Sequence, residues 1–168
     1  NPDDPNSLSN DDIVTMHEDK HGNLWIGTYG GGLNKFDRSK GKILRYANDS
    51  SRPAASAPEI IWTICEDHAG ILWLGTNGGG IDRFDPMTNQ FTHFRHDSLN
   101  SNTVSENIVY SIVEDSLENL WIGTQSSGLD KLDSARKSFT HYRTQTDNQS
   151  SLGRKHIRKL YIDKAGSL

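Results

Sequence analysis

The sequence predicts an all-β fold in which a four-stranded unit of 48 residues is repeated. First, the apolar segment Leu24–Thr28 returns at Leu72–Thr76 and again at Leu120–Thr124, 48 residues later each time. Second, clusters of Asn, Ser, Asp and Pro interrupt the chain at the same phase of every repeat. Third, the apolar segments are short and rich in β-branched and aromatic residues, which favours strands over helices. A fixed period of this length is typical of stacked or radial repeat proteins.

Composition agrees with a globular protein and excludes several classes. The 168 residues are 33% hydrophobic and 24% charged, and no apolar run approaches the ~20 residues of a membrane-spanning helix. The net charge is −4 and the basic residues are scattered, which argues against a nucleic-acid partner. Cys65 is the single cysteine, so no disulfide can form within the chain.

A gap-free alignment divides the chain into repeats 1–48, 49–96 and 97–144 and a half repeat, 145–168. Each repeat opens with a polar loop, predicted at 1–11, 49–59, 97–107 and 145–155. The first strand of each repeat follows this loop and is predicted at Ile13–Met16, Ile61–Ile64, Val109–Ile112 and Ile157–Leu160.

A tight turn then leads into the second strand, which carries the repeated tryptophan. Asp19, Asp67 and Asp115 begin these turns, where a carboxylate can accept hydrogen bonds from backbone N–H groups two or more residues later. We therefore expect these aspartates to be structural and not catalytic.

Glycine-rich turns follow the second strand, and an alternating third strand and a short fourth strand complete the repeat. Four short strands in 48 residues match one blade of a β-propeller, so residues 1–168 are predicted to form about three and a half antiparallel blades. The first two strands should be covered on both faces by neighbouring blades. Trp25, Trp73 and Trp121 are predicted to pack between blades. Arg45, His93 and His141 on the outermost strands should face water.

The repeat closely resembles the two-component regulator propeller repeat. The resemblance rests on Glu18-Asp19, on Gly22–Thr28 and Gly31–Asp37, and on the lead-in Asn6–Asn10, and it extends over nearly the whole chain. It implies a non-catalytic part of the extracytoplasmic, periplasmic sensor region of a hybrid histidine kinase in the inner membrane of Bacteroides-type bacteria. Such sensors respond to glycan fragments and regulate polysaccharide-utilisation genes.

Two departures from the repeat affect what the resemblance implies. The third copy has Gln125–Gly128 where the others have three glycines, and the fourth has Ile162 in place of Glu. Members of the family carry many more repeats, so we expect a segment of a ring whose kinase lies elsewhere. Its partners would be other blades of the same propeller or a second copy of the chain, because open strand edges favour association. Membrane attachment would come from other parts of the protein, and no cofactor is expected.

Candidate ligand-binding residues vary between repeats, because a residue that recurs in every blade serves the blade itself. Tyr29, Asn77 and Gln125 occupy one variable phase at the turn after the second strand, and their rings or amides suit a saccharide. Solvated turn residues are the competing interpretation. Trp62 and Tyr110 occupy a second variable phase, on the strand nearest the central channel. They could present aromatic platforms to a saccharide or be buried between blades.

Other chemistries have little support in the sequence. The seven histidines show no metal-ligand spacing, and the repeats are not interrupted by a unique cluster of carboxylate, His or Tyr. A ligand-sensing segment is therefore the preferred interpretation. A protein-docking propeller and a propeller lyase or hydrolase are the alternatives, because the fold does not determine the function.

Overall fold

The computed structural model describes residues 4, 6–46, 59–143 and 156–168, and of Glu59 only the backbone. The described residues form twelve strands and no helix, which confirms the all-β prediction. Consequently, no described segment is a helix that could cross a membrane. The strands are β1 (Ile13–Glu18), β2 (Leu24–Gly30), β3 (Leu33–Asp37), β4 (Lys42–Tyr46), β5 (Glu59–Glu66), β6 (Leu72–Thr76), β7 (Ile81–Asp85), β8 (Gln90–Phe94), β9 (Val109–Glu114), β10 (Leu120–Thr124), β11 (Leu129–Leu132) and β12 (Phe139–Tyr142).

Each group of four consecutive strands forms one antiparallel blade. Successive strands pair with each other in the orders β1 to β4, β5 to β8 and β9 to β12. The four-stranded blades predicted from the 48-residue repeat are therefore confirmed. Most of the two predicted loops at 49–59 and 145–155 lies outside the described residues.

Backbone pairing also joins neighbouring blades. The end of β2 continues past its own blade and pairs with the start of β5 through Tyr29 and Ile60. An isolated bridge between Asn77 and Ile108 makes the same connection one blade later. The N–H of Ile157 donates to the carbonyl of Thr124 at 3.0 Å, which attaches the last segment to the third blade.

Two hydrophobic cores lie between the blades. One packs Trp25 and Leu33 of the first blade against β5, β6 and Phe84 of the second. The other packs Trp73 and Ile81 of the second blade against the third. Trp25 and Trp73 are 0% exposed, so each indole is fully enclosed between two sheets. Trp121 is only partly buried, because on the side of its blade away from the second blade the described chain supplies only residues 156–168.

A glycine in each second strand allows this close packing. A Cβ atom added at Gly75 would lie 2.7 Å from Cγ2 of Thr63 and 2.8 Å from the carbonyl oxygen of Val109 in the next blade. Both distances are shorter than ordinary van der Waals contacts, so no side chain fits between these strands.

Three expectations about exposure and strand content are wrong. Ile13 and Met16 of β1 are 46% and 61% exposed, because no described blade precedes the first one. Residues 157–160 form no strand, since no described strand follows that could pair with them as a hairpin. The side chains on the fourth strands do not simply face water.

The polar side chains of the fourth strands are held by buried groups instead. His93 Nδ1 lies 2.6 Å from Oδ1 of Asp82, and His141 makes the same contact with Asp130. Both carboxyl groups are 0% exposed, so these histidines cover buried charges and cannot point outward. Arg45 donates to the carbonyl oxygen of Ser7 at 2.8 Å and so holds the N-terminal lead-in.

Candidate functional site

A concave cavity of about 380 Å³ lies on the inner side of the blades. Cavities of ~300–1,000 Å³ are typical of small-molecule sites. The lining residues share one phase of the repeat, 48 residues apart, and they are Val14, Trp62, Tyr110 and Arg158. The cavity therefore combines one equivalent position from each of four successive repeats.

A β-bulge places three of these side chains, those of Val14, Trp62 and Tyr110. In the second blade, Ile61 pairs with Thr76 and Thr63 pairs with Gly75, so Trp62 between them has no partner on the neighbouring strand. The same register shift leaves Val14 unpaired in β1 and Tyr110 unpaired in β9. A bulge adds one residue to a strand and redirects its side chain. The flanking residues stay in the blade, and the bulged residue lines the cavity.

An aromatic row runs along this inner side across the repeats. The rings of Tyr29 and Trp62 are 6.5 Å apart at 83°, and those of Trp62 and Tyr110 are 5.4 Å apart at 69°. The ring of Tyr110 then lies 5.4 Å from that of His156, tilted by 35°. Spacings and angles of this kind are favourable for aromatic pairs. Tyr29, at one end of the row, is 50% exposed.

Trp62 also carries a polar group that is not satisfied. Its indole nitrogen Nε1 is enclosed, and no acceptor for it exists among the described residues. Leaving a buried donor unpaired costs about 1–3 kcal/mol. An acceptor that reached this atom would remove the cost.

Arg158 contributes the positive charge of the cavity. Its Nε donates to Nε2 of His156 at 2.9 Å, and within the described chain no carboxylate pairs with its guanidinium. Arg158 was not among the site residues proposed from the sequence; the signal that could have found it is the repeat phase that it shares with Trp62.

The five residues proposed from the sequence do not all meet. Tyr29, Trp62 and Tyr110 lie together in the aromatic row. Asn77 and Gln125 are half-buried at the ends of β6 and β10 and do not line the cavity. Their backbone N–H groups donate to the carbonyls of Ile60 and Ile108 at 3.0 and 3.1 Å.

The repeated aspartates are used by their own blades. In each blade the tryptophan Nε1 donates to Oδ2 of the aspartate six residues earlier at 2.8 Å, in the pairs Trp25–Asp19, Trp73–Asp67 and Trp121–Asp115. Burial raises the pKa of Asp19 and Asp115, but hydrogen bonds from their tryptophans and asparagines outweigh it, so both pKa values lie below the usual 3.8. At neutral pH these carboxylates stay ionised and accept hydrogen bonds within their own blades.

Contacts between blades include two glutamates that sequence reasoning missed. Glu114 of the third blade accepts from the backbone N–H of His68 in the second blade at 2.8 Å, and Arg136 donates to it at 2.8 Å. Glu66 does the same for the N–H of Lys20 at 2.9 Å. Recurrence of Glu before the turn aspartate was the available signal.

In the described ranges no group of three His, Cys, Asp or Glu side chains is arranged to hold a metal ion.

Comparison with known proteins identifies the repeat. A model of the two component regulator propeller matches residues 7–30, 56–78 and 103–126. None of the curated proteins matches the sequence.

Solved structures share the fold. The extracellular domain of BT4673 from Bacteroides thetaiotaomicron, a proposed hybrid two component system, is 22% identical with a TM-score of 0.80, covering 96% of this chain and 20% of that one. The extracellular domain of BT3049, a proposed hybrid two component system of the same organism, is 25% identical with a TM-score of 0.73. This match covers 89% of this chain and 20% of that one. Virginiamycin B lyase from Staphylococcus aureus is 16% identical with a TM-score of 0.64. This match covers 85% of this chain and 45% of the lyase.

The chain spans 20% of the length of each of the two extracellular domains. The repeat matches, the blade architecture and these structures agree with one another. The chain is therefore a propeller segment that carries three copies of the two component regulator propeller repeat.

Proposed function

We propose that this chain is a ligand-sensing segment of the extracytoplasmic part of a hybrid two-component sensor, and that it recognises an oligosaccharide. The observation that carries the proposal is the cavity, in which β-bulges present Trp62 and Tyr110 as adjacent aromatic rings. Flat aromatic faces suit the apolar faces of sugar rings, and the edges of the cavity offer hydrogen-bond donors.

The cellular setting is part of the proposal and is supported by the family and by the extracellular domains with the same fold. The segment would lie on the periplasmic side of the inner membrane and be joined to a kinase elsewhere in the protein. Ligand binding would then regulate polysaccharide-utilisation genes. The segment would bind its ligand without turning it over, and its open edges would pair with further blades or with a second copy of the chain.

The test is saccharide binding to the purified protein, with arabinan, mannan, pectin and glycosaminoglycan fragments as probes. We expect at least one fragment to raise the melting temperature in a concentration-dependent way, because a ligand that binds only the folded state stabilises it. Chromatography of the same mixtures should show no fragment consumed. Turnover of a fragment would point to a propeller lyase or hydrolase instead.

Variants locate the site. Trp62→Ala and Tyr110→Ala should weaken the binding, whereas Tyr161→Ala should not, because Tyr161 is 72% exposed and does not line the cavity. Circular dichroism should show all three variants folded. If every fragment fails to bind the folded protein, the saccharide proposal is wrong and protein docking becomes the better hypothesis.

A further inference from the structure

We propose that the cavity selects an acidic saccharide, one with a carboxylate or sulfate group, and that Arg158 binds the anionic group while Trp62 and Tyr110 contact the sugar ring. This inference rests on the proposed function and specifies its ligand. It starts from the charge of the lining: Arg158 is the one ionised side chain among the four cavity residues.

The guanidinium is positioned but not neutralised. Its single described hydrogen bond runs from Nε to Nε2 of His156, and no carboxylate of the described residues pairs with it. The two terminal nitrogens of Arg158 have no partner in the described residues. Those nitrogens form a planar fork that matches the two oxygens of a carboxylate, or two of a sulfate. Arg158 is exposed at the cavity, so an anionic group of a ligand can reach this fork from solvent.

The aromatic row connects the anion-binding group to the sugar-binding rings. His156, which accepts from Arg158, lies against Tyr110 at 5.4 Å, and Tyr110 lies against Trp62 at 5.4 Å. The charged fork and the aromatic faces therefore belong to one continuous surface. A sugar whose ring contacts Tyr110 could place an acidic substituent at Arg158, and a neutral sugar would leave that charge unpaired.

The carboxylate of Glu106 is already engaged and does not compete for this charge. Glu106 lies at the end of the loop before β9, and both of its oxygens already accept from Ser126, with Ser127 also donating to it. Within the described residues, Arg158 makes no ion pair. A ligand anion would thus meet a positive site and not a compensated pair.

The experiment compares acidic with neutral fragments by isothermal titration calorimetry on the purified chain. Trigalacturonate supplies carboxylates, a chondroitin sulfate disaccharide supplies sulfate, and arabinotriose and mannotriose are neutral. We expect one or both acidic probes to bind more tightly than both neutral probes. The better of the two acidic probes identifies the anionic group.

Arg158→Gln should weaken the acidic probe about 10- to 100-fold, which is the loss expected for charge-assisted hydrogen bonds. Arg158→Lys should recover only part of it, because an ammonium group cannot form the fork. Lys159→Gln is the matched control: it removes the same charge at the neighbouring exposed position, which does not line the cavity.

The outcomes separate this inference from the proposed function. Equal binding of neutral and acidic probes, unchanged by Arg158→Gln, overturns the acidic ligand and leaves the saccharide sensor intact. Equal loss in Lys159→Gln and Arg158→Gln overturns it as well, since general electrostatic attraction would then explain the affinity. Arg158-dependent binding of an acidic peptide or a nucleotide in preference to the saccharides overturns both proposals. Fluorescence of the four tryptophans verifies that each variant is folded.

Discussion

The indole nitrogen Nε1 of Trp73 donates a 2.8 Å hydrogen bond to Oδ2 of Asp67, six residues earlier. Both side chains are buried. The other oxygen of Asp67 accepts from the backbone N–H groups of Ala69 and Ile71. One carboxylate therefore closes the turn and also satisfies the indole that fills the space between two blades.

Removal of this carboxylate should destabilise the protein strongly. Asp67→Ala leaves the enclosed Nε1 of Trp73 without an acceptor and removes the cap of the turn, so we expect a loss of about 2–3 kcal/mol in the free energy of unfolding. Urea denaturation at pH 7 measures it. The control is Asp85→Ala, which removes a turn carboxylate that accepts from Met87 N–H but from no indole. That loss should stay below about 1 kcal/mol. Equal losses would contradict the role of the indole bond.

The contact of Glu114 with the second blade should contribute to stability, and the repeat supplies its own control. Glu114→Gln weakens the bonds from Arg136 and from the N–H of His68, and we expect it to cost about 1–2 kcal/mol. Glu18 occupies the same phase of the first repeat, but its pairing with Arg38 is exposed to solvent. Glu18→Gln should therefore change stability by less than about 0.5 kcal/mol. Chemical denaturation of the two variants tests the difference, and a larger effect at Glu18 would refute it.

Stability should depend on pH through His68. Its hydrogen bond to Glu114 raises the pKa of His68 above the ordinary 6.5, with further support from the charges of Glu114, Glu118 and Asp67. The stabilisation is therefore complete below pH 6.5 and is lost as the pH rises through the raised pKa. The difference in urea midpoint between wild type and His68→Ala should be larger at pH 5.5 than at pH 8.5. NMR titration of the imidazole checks the cause, and a difference that grew with pH would have the wrong sign.

Cys65 should be unreactive in the folded protein. Burial, together with the negative charges of Glu114 and Asp67, raises the pKa of the Cys65 thiol to about 12. At pH 8 almost no thiolate is therefore present, and the thiolate is the form that reacts. A thiol reagent such as Ellman's reagent should label the chain slowly in buffer and fast in urea. Labelling in buffer at the rate of free cysteine would show that the second and third blades separate readily.

The repeat and its strands could be predicted from the sequence because hairpins depend on local signals. Alternating apolar residues, turn aspartates and glycines mark each strand within a few residues of its neighbours. The recurrence of Trp25 at Trp73 and Trp121 then indicated a surface that every blade buries. Even the phase of Trp62 and Tyr110 stood out, because those positions differ between copies.

Tertiary structure alone decided which of these residues meet. A bulge takes one residue out of strand pairing, and no residue type marks its place in this sequence, so it was the register that turned Trp62 and Tyr110 toward a cavity. Arg158, 48 residues after Tyr110, lines the same cavity. His141 contacts Asp130 and does not face water, because a buried carboxylate requires a partner. Sequence patterns report local backbone preference, whereas these contacts depend on how separate blades stack.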